Sequence, residues 1–393
     1  MTLRRHAVTA FAALVLAAGV FAQDAQQEGV LDDLFDAPGG DAVVVDTGID
    51  HRETYQSEEK LKIGGFFRAL AGTLAGYRQW PDPDDLGYAF DASAGLVAEA
   101  VFVIDARPGP VASIHGEFTT SFSPSDSSFS WGDFWISEFY CDYVVLDTAF
   151  FRAGQFESSW GQGRIFNPGN LMDGSGDGFS VRVSVPSFLR GVTAYSYGSG
   201  DVDSIADLVY ASRLETLVLD TYVAGGLRFK ESDGYSGVLS MKKVVLGADL
   251  FFDSIGRYNA VGIASFEGLA GFFKEWNDLR LYGEYYLSGG ESGILDQKLG
   301  LALGLKNLGD TPIDLGVKLE QSLSDWSGVY LMVLNWTPLK YITATIGIPV
   351  VYGEVGSYYV DTSYVEGNEE GLEVGLEGYR IGLAFSLLMK VPF

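Results

Sequence analysis

The sequence predicts an all-β protein: an up-and-down antiparallel β-barrel that crosses a membrane. Three observations lead there. The final stretch, EGYRIGLAFSLLMKVPF, alternates without a break. Tyr379, Ile381, Leu383, Phe385, Leu387, Met389, Val391 and Phe393 form an apolar face, and Arg380, Gly382, Ala384, Ser386, Leu388, Lys390 and Pro392 form the other. A two-residue period belongs to a strand, whose side chains point to opposite faces. This one outruns the roughly five or six residues usual in soluble sheets and suits a tilted strand crossing a bilayer. The same alternation recurs along the chain. Finally, nothing after residue 22 offers the roughly eighteen consecutive apolar residues a spanning helix requires.

Taken in order, residues 1–22 read as a secretory signal peptide. Arg4 and Arg5 precede an apolar run from Ala7 to Phe21, and Val20-Phe21-Ala22 supplies the small residues of a cleavage site. Residues 23–59 form an acidic, mostly unpaired extension that either hangs in the periplasm or folds into the lumen. The barrel occupies 60–393. Candidate strands lie near 60–72, 87–105, 110–122, 129–142, 144–156, 178–186, 190–197, 206–213, 216–230, 234–242, 244–254, 258–267, 278–288, 296–307, 312–322, 327–337, 340–351 and 377–393. Short neighbours could be one bent strand, and single-chain bacterial barrels have even counts. The expectation is therefore about 16 strands, with 14 or 18 open.

The faces repeat one rule. In KLGLALGLK, Leu299, Leu301, Leu303 and Leu305 oppose Lys298, Gly300, Ala302, Gly304 and Lys306. IDLGVKLE, FSVRVSV, YITATIGI and LRLYGEYYL follow suit: one side is aliphatic or aromatic, and the other carries small or charged residues. A charge facing lipid at mid-bilayer costs about 2–4 kcal/mol. The charged faces must then line the interior, and the sheet must close so that no edge is left unpaired in lipid. Arg182, Arg280, Glu284, Lys298, Asp314, Lys318, Glu320 and Arg380 are the candidate pore-lining residues. Their mixed signs imply a field across the pore rather than a strong ion preference; ion pairs within the wall are the plainer role for each. With the C-terminus periplasmic, 307–312 and 337–340 become short inner turns, and 289–296 and 353–376 become outer loops.

Composition excludes other classes. A net charge of −26 is wrong for a general nucleic-acid binder. The acidic clusters at Asp82, Asp84 and Asp85 and at Glu369 and Glu370 keep loops solvated, with divalent-cation binding as the alternative. Cys141 is the only cysteine, reads as an apolar strand residue and leaves no intramolecular disulfide. Beyond residue 22 the histidines are His51 and His115. His115 shares a strand face with Glu117 but has no matched nucleophile, and no Gly-x-Ser-x-Gly elbow or metal cluster appears. No catalytic residue, metal ligand or cofactor is expected.

The ending resembles the C-terminal signature of bacterial outer-membrane β-barrels: Phe393, preceded at alternate positions by Val391, Met389, Leu387 and Phe385. Pro392 is a slight departure, tolerable at a strand end. The resemblance implies recognition by the barrel-assembly machinery and residence among outer-membrane lipid. A second stretch, FRAGQFESSWGQGRIFNPGN at 151–170, is similar to segments of porin-type families at Arg152, Gly154, Gln155, Trp160, Gly161, Asn167 and Pro168. It assigns no single family. It opens the Gly-rich connection 157–178, for which an ordinary mobile loop is the favoured expectation and entry into the lumen the alternative. What the resemblance implies is passive diffusion of small solutes through a water-filled barrel. The alternatives are a substrate-specific channel, kept open by Tyr282 and Tyr286, and a non-transporting structural or adhesive barrel.

Overall fold

Tight reversals divide the alternating stretches into strands. In the computed structural model the described residues are 60–77, 90–124, 129–146, 148–172, 178–185, 191–197, 204–290, 295–360 and 380–393. Eighteen strands occur among them: β1 (Leu61–Tyr77), β2 (Phe90–Gly109), β3 (Ala112–Pro124), β4 (Phe129–Val145), β5 (Ala149–Gln155), β6 (Ser180–Val185), β7 (Gly191–Tyr197), β8 (Val209–Val218), β9 (Thr221–Lys230), β10 (Gly234–Val245), β11 (Ala248–Tyr258), β12 (Ala264–Trp276), β13 (Leu279–Gly289), β14 (Leu295–Leu305), β15 (Ile313–Ser322), β16 (Gly328–Leu339), β17 (Ile342–Tyr352) and β18 (Ile381–Pro392). Each pairs antiparallel with its sequence neighbours, and β18 returns to β1 in a register running from Phe66 opposite Pro392 to Tyr77 opposite Ile381. The sheet is closed, as an apolar exterior demands.

The eighteen strands fall within the expected range of 14 to 18, at its upper end and not at the preferred 16. Merging short neighbours fails because the chain reverses between them instead of bending. Leu219 and Asp220 hold φ of 50° and 59° between β8 and β9, and Leu246 and Gly247 hold 53° and 70° between β10 and β11. Paired left-handed residues build the hairpin turns whose twist matches flanking strands. Two bounds also move. Residues 205–207 form a 3₁₀ turn capped by Ser204 and Asp207, so β8 starts later than its pattern suggested. The stretch from 259 to 263 is a connection closed by the Asn259 N–H on the Ile263 carbonyl, so β12 begins at Ala264.

Directly opposed residues of an antiparallel pair share a face. The registers therefore carry one face round the barrel: Leu331 opposes Lys318, Lys318 opposes Ala302, Ala302 opposes Tyr282, and Tyr282 opposes Phe273. This face is the interior. The exterior carries Leu301, Leu383, Phe385, Leu387 and Met389, all exposed. Large apolar groups outside and ionic groups inside invert the arrangement of a soluble protein and match a barrel in lipid. Cys141 is exposed on the outer face of β4.

The two ends differ. Connections 110–111, 219–220, 246–247, 277–278 and 340–341 are short and share the end where β1 begins and β18 finishes. The opposite end holds the long connections 156–179 and 353–380. The C-terminal residue is seated: the Phe393 N–H donates to the Gly65 carbonyl at 3.0 Å, and its ring meets Phe102 edge-on at 5.6 Å. Gly65 leaves that ring room, because a Cβ there would lie 2.8 Å from it. Residues 1–22 and 23–59, the acidic clusters at 82–85 and 369–370, and His51 lie outside the described residues.

Candidate functional site

The connection after β5 is not an ordinary mobile loop: residues 156–172 fold inward and dock on the lumenal faces of β8 to β14. This corrects the favoured expectation and follows from what the wall offers. Trp160 is 2% exposed and packs with Leu171 and Met172 of its own segment against Val209, Ala211, Val238 and Ile255 of the wall. Bare wall positions make the floor. A Cβ on Gly226 would lie 2.5 Å from the Trp160 ring and 2.9 Å from Val238, and one on Gly300 would lie 2.8 Å from Ile165. Phe166 stacks obliquely on Tyr286 with centroids 5.7 Å apart.

Two buried carboxylates hold the segment by its backbone. Glu284 accepts N–H bonds from Arg164 at 2.6 Å, Ile165 at 3.1 Å and Phe166 at 2.7 Å, and the Tyr282 hydroxyl also donates to it. Asp253 accepts from the Gln162 N–H at 2.7 Å. Arg257 donates to the Pro168 carbonyl at 3.2 Å. A loop crossing a lumen exposes backbone donors, and a carboxylate satisfies several at once. Hydrogen bonds to charged groups are worth about 1.5–3 kcal/mol each. Gly161, at φ 93°, supplies the left-handed turn that brings the Asn167 amide against it. The Arg164 guanidinium sits 4.7 Å from the Phe273 ring centroid, inside the barrel.

The predicted lining residues separate into three groups. Arg182 opposes Arg152 across β5 and β6, with its guanidinium 5.7 Å from the Phe156 ring. Arg280 pairs with Glu275 at 3.1 Å, Lys298 with Asp296 at 3.5 Å, and Lys318 with Glu320 at 2.7 Å. These inward residues form ion pairs along the wall. Glu284 faces inward but is 2% exposed beneath the docked segment, so it is an anchor and not part of the open lining. Asp314 and Arg380 serve connections at the two ends. Asp314 accepts the Asn307 N–H at 2.8 Å, and Arg380 donates to the Gly353 carbonyl at 3.2 Å.

A second connection also turns inward. Residues 353–360 bring Tyr359 to Glu320 at 3.2 Å and the Tyr358 ring to 3.6 Å from the Lys298 ammonium. Asp325, in the connection after β15, accepts the Tyr358 N–H at 2.6 Å and bonds from Ser327. Burial alone would raise its pKa, but these donors more than offset that and bring it to about 2. His115 lies between Asp105, at 2.7 Å, and Glu138, at 3.7 Å, and stacks on Tyr140 as a wall histidine. Sequence reasoning missed Asp253. The alternation of Phe251, Asp253, Ile255 and Arg257 carried the signal, but the run assigned to β11 ended at 254.

No protein-family model matches this sequence, and no curated protein matches it. Solved structures do resemble its fold. The outer membrane protein opdK from Pseudomonas aeruginosa aligns with a TM-score of 0.54 at 8% identity, over 84% of this chain and 99% of that one. A BenF-like porin from Pseudomonas fluorescens Pf-5 gives 0.52 at 8%, over 84% and 99%. OprE of Pseudomonas aeruginosa gives 0.52 at 8%, over 85% and 98%. The chain thus has the transmembrane β-barrel fold of outer-membrane porins and shares almost none of their sequence.

Proposed function

We propose that this protein is a porin-like channel of the bacterial outer membrane, passing small solutes down their gradients through a water-filled lumen. The observation that carries the reading is the inward-folded segment 156–172: a closed eighteen-strand wall is wide enough for water, and this segment narrows it. Ion pairs of both signs on the inner wall favour weak ion selectivity. The eight lining candidates act within that frame. Arg182, Arg280, Lys298, Lys318 and Glu320 shape the transverse field, Glu284 sets the position of the constriction, and Asp314 and Arg380 hold the mouths. The face from Phe385 to Phe393 serves as the assembly signal.

Conductance of the refolded protein in a planar bilayer tests this. Steady ohmic steps, together with swelling of loaded liposomes in small sugars, are expected. A folded, inserted protein that passes neither would overturn it.

A substrate-specific channel is the second reading, favoured by the aromatic and cationic side chains gathered at the constriction: Phe166, Phe273, Tyr286, Arg164 and Lys298. A structure of OpdK with vanillate shares the fold at a TM-score of 0.53 and 10% identity. Small currents blocked by aromatic carboxylates such as vanillate would support this reading over general diffusion.

A further inference from the structure

The hinge at which the chain leaves the wall has an anchor of its own. β5 ends at Gln155, and Phe156, 1% exposed, begins the docked segment. The Phe156 ring meets Tyr140 edge-on at 5.9 Å and lies 5.5 Å from the Arg152 guanidinium. The next residue is held by its backbone: the Glu157 N–H donates to the Glu138 carboxylate. Glu138 thus does at the hinge what Asp253 and Glu284 do farther along the segment. It differs in its neighbour. His115 of β3, the only histidine among the described residues, brings Nε2 to 3.7 Å from Glu138 Oε2. Its ring also stacks on Tyr140 with centroids 5.0 Å apart. His115 therefore reaches the hinge by two routes, through Tyr140 to Phe156 and through Glu138 to Glu157.

We propose that His115 is a positioning residue of the constriction: its charge, gained as pH falls, fixes Glu138 and through it the hinge at Glu157. The inference rests on the channel reading above. An ionised carboxylate only accepts hydrogen bonds. The Asp105 contact at 2.7 Å therefore keeps a proton on His115 Nδ1. In the neutral ring Nε2 then carries a lone pair that faces a second acceptor, and 3.7 Å is too long for a hydrogen bond. A second proton, taken from lumenal water, converts that contact into an Nε2–H donor on Glu138 Oε2. Water reaches the ring, whose side chain is 22% exposed. The other charges nearby leave this pairing to His115. Asp142 of β4 is taken by Arg152 of β5 at 2.8 Å. Lys62 of β1 and Arg107 of β2 stand on the Asp105 side, away from β4. Glu117 of β3 directly opposes Glu138, and a charged ring beside the two offsets their repulsion. Histidine ordinarily titrates between pH 5 and 8. The added fastening is complete while the ring is charged and is lost as pH rises through that titration.

Hydrogen exchange at the Glu157 amide of the refolded protein tests this, read at pH 5.5 and pH 8 as protection relative to the intrinsic rate at each pH. Protection in the native protein should be about tenfold higher at pH 5.5, the scale of one strengthened charge-assisted hydrogen bond. His115→Gln should show the low value at both pH values. His115→Lys, which stays charged across this range, should show the high value at both. Glu138→Gln should be weakly protected throughout. Single-channel recordings read the consequence: native currents should be quieter than those of His115→Gln at pH 5.5 and match them at pH 8. The native pH profile needs no variant, so a substitution that fails to fold does not remove the test. Native protection that does not change with pH, a change that persists in His115→Gln, or equal noise from the two proteins at pH 5.5 overturns the proposal. Conductance absent from every form removes the channel reading instead, while exchange still decides whether His115 fastens the hinge.

Discussion

Glu284 is one side chain satisfying three backbone donors of a segment more than a hundred residues away in sequence. Replacing it by Gln keeps the shape but removes the charge, and each charge-assisted bond contributes about 1.5–3 kcal/mol. Glu284→Gln should loosen segment 156–172 and give larger, noisier single-channel currents; unchanged currents would show that the packing of Trp160 alone holds the constriction. Asp325 makes a different prediction. Its pKa is depressed to about 2 in the folded state, below the roughly 3.9 of a free aspartate. A depressed carboxylate contributes stability that is complete above its unfolded value and is lost as pH falls through its folded value. Residues 353–360 should stay pinned from neutral pH down to about 4 and release near pH 2, read by hydrogen exchange at the Tyr358 amide. Asp325→Asn should speed that exchange already at pH 7.

Among the elements, the strands were legible and the docked segment was not. Leu299 to Leu305 and Leu383 to Phe393 announce their faces because lipid accepts only apolar groups, so the alternation is enforced at every position. Segment 156–172 has no such period. Its placement depends on Gly226 and Gly300 leaving a floor and on Asp253 and Glu284 arriving from distant strands. Nothing within 151–170 states that those partners exist. The turn between β10 and β11 offers a stability test. Leu246 adopts φ 53° and is 93% exposed, so it bears the strain of a left-handed residue with no packing in return. A left-handed conformation costs an L-residue about 1–2 kcal/mol. Leu246→Asn, which recreates an Asn-Gly hairpin turn, should raise the urea midpoint in detergent by the equivalent of about 1 kcal/mol. Gly226→Leu should do the reverse to the constriction, lifting Trp160 from its seat and altering conductance without unfolding the barrel.

For the whole molecule, paired charges of both signs predict a pore with little preference between cations and anions. Lys318 balances Glu320 at 2.7 Å. Lys318→Glu would set two carboxylates side by side on the inner wall, and the reversal potential in a salt gradient should move toward cation selectivity. The sequence by itself determined the class of fold, the outward faces and closure, because a bilayer imposes its demand locally and residue by residue. The tertiary structure alone decided the folding of 156–172 into the lumen and the conversion of Glu284 from lining to anchor. Each of these depends on which side chains meet across the closed wall, and a periodic pattern carries no record of such meetings.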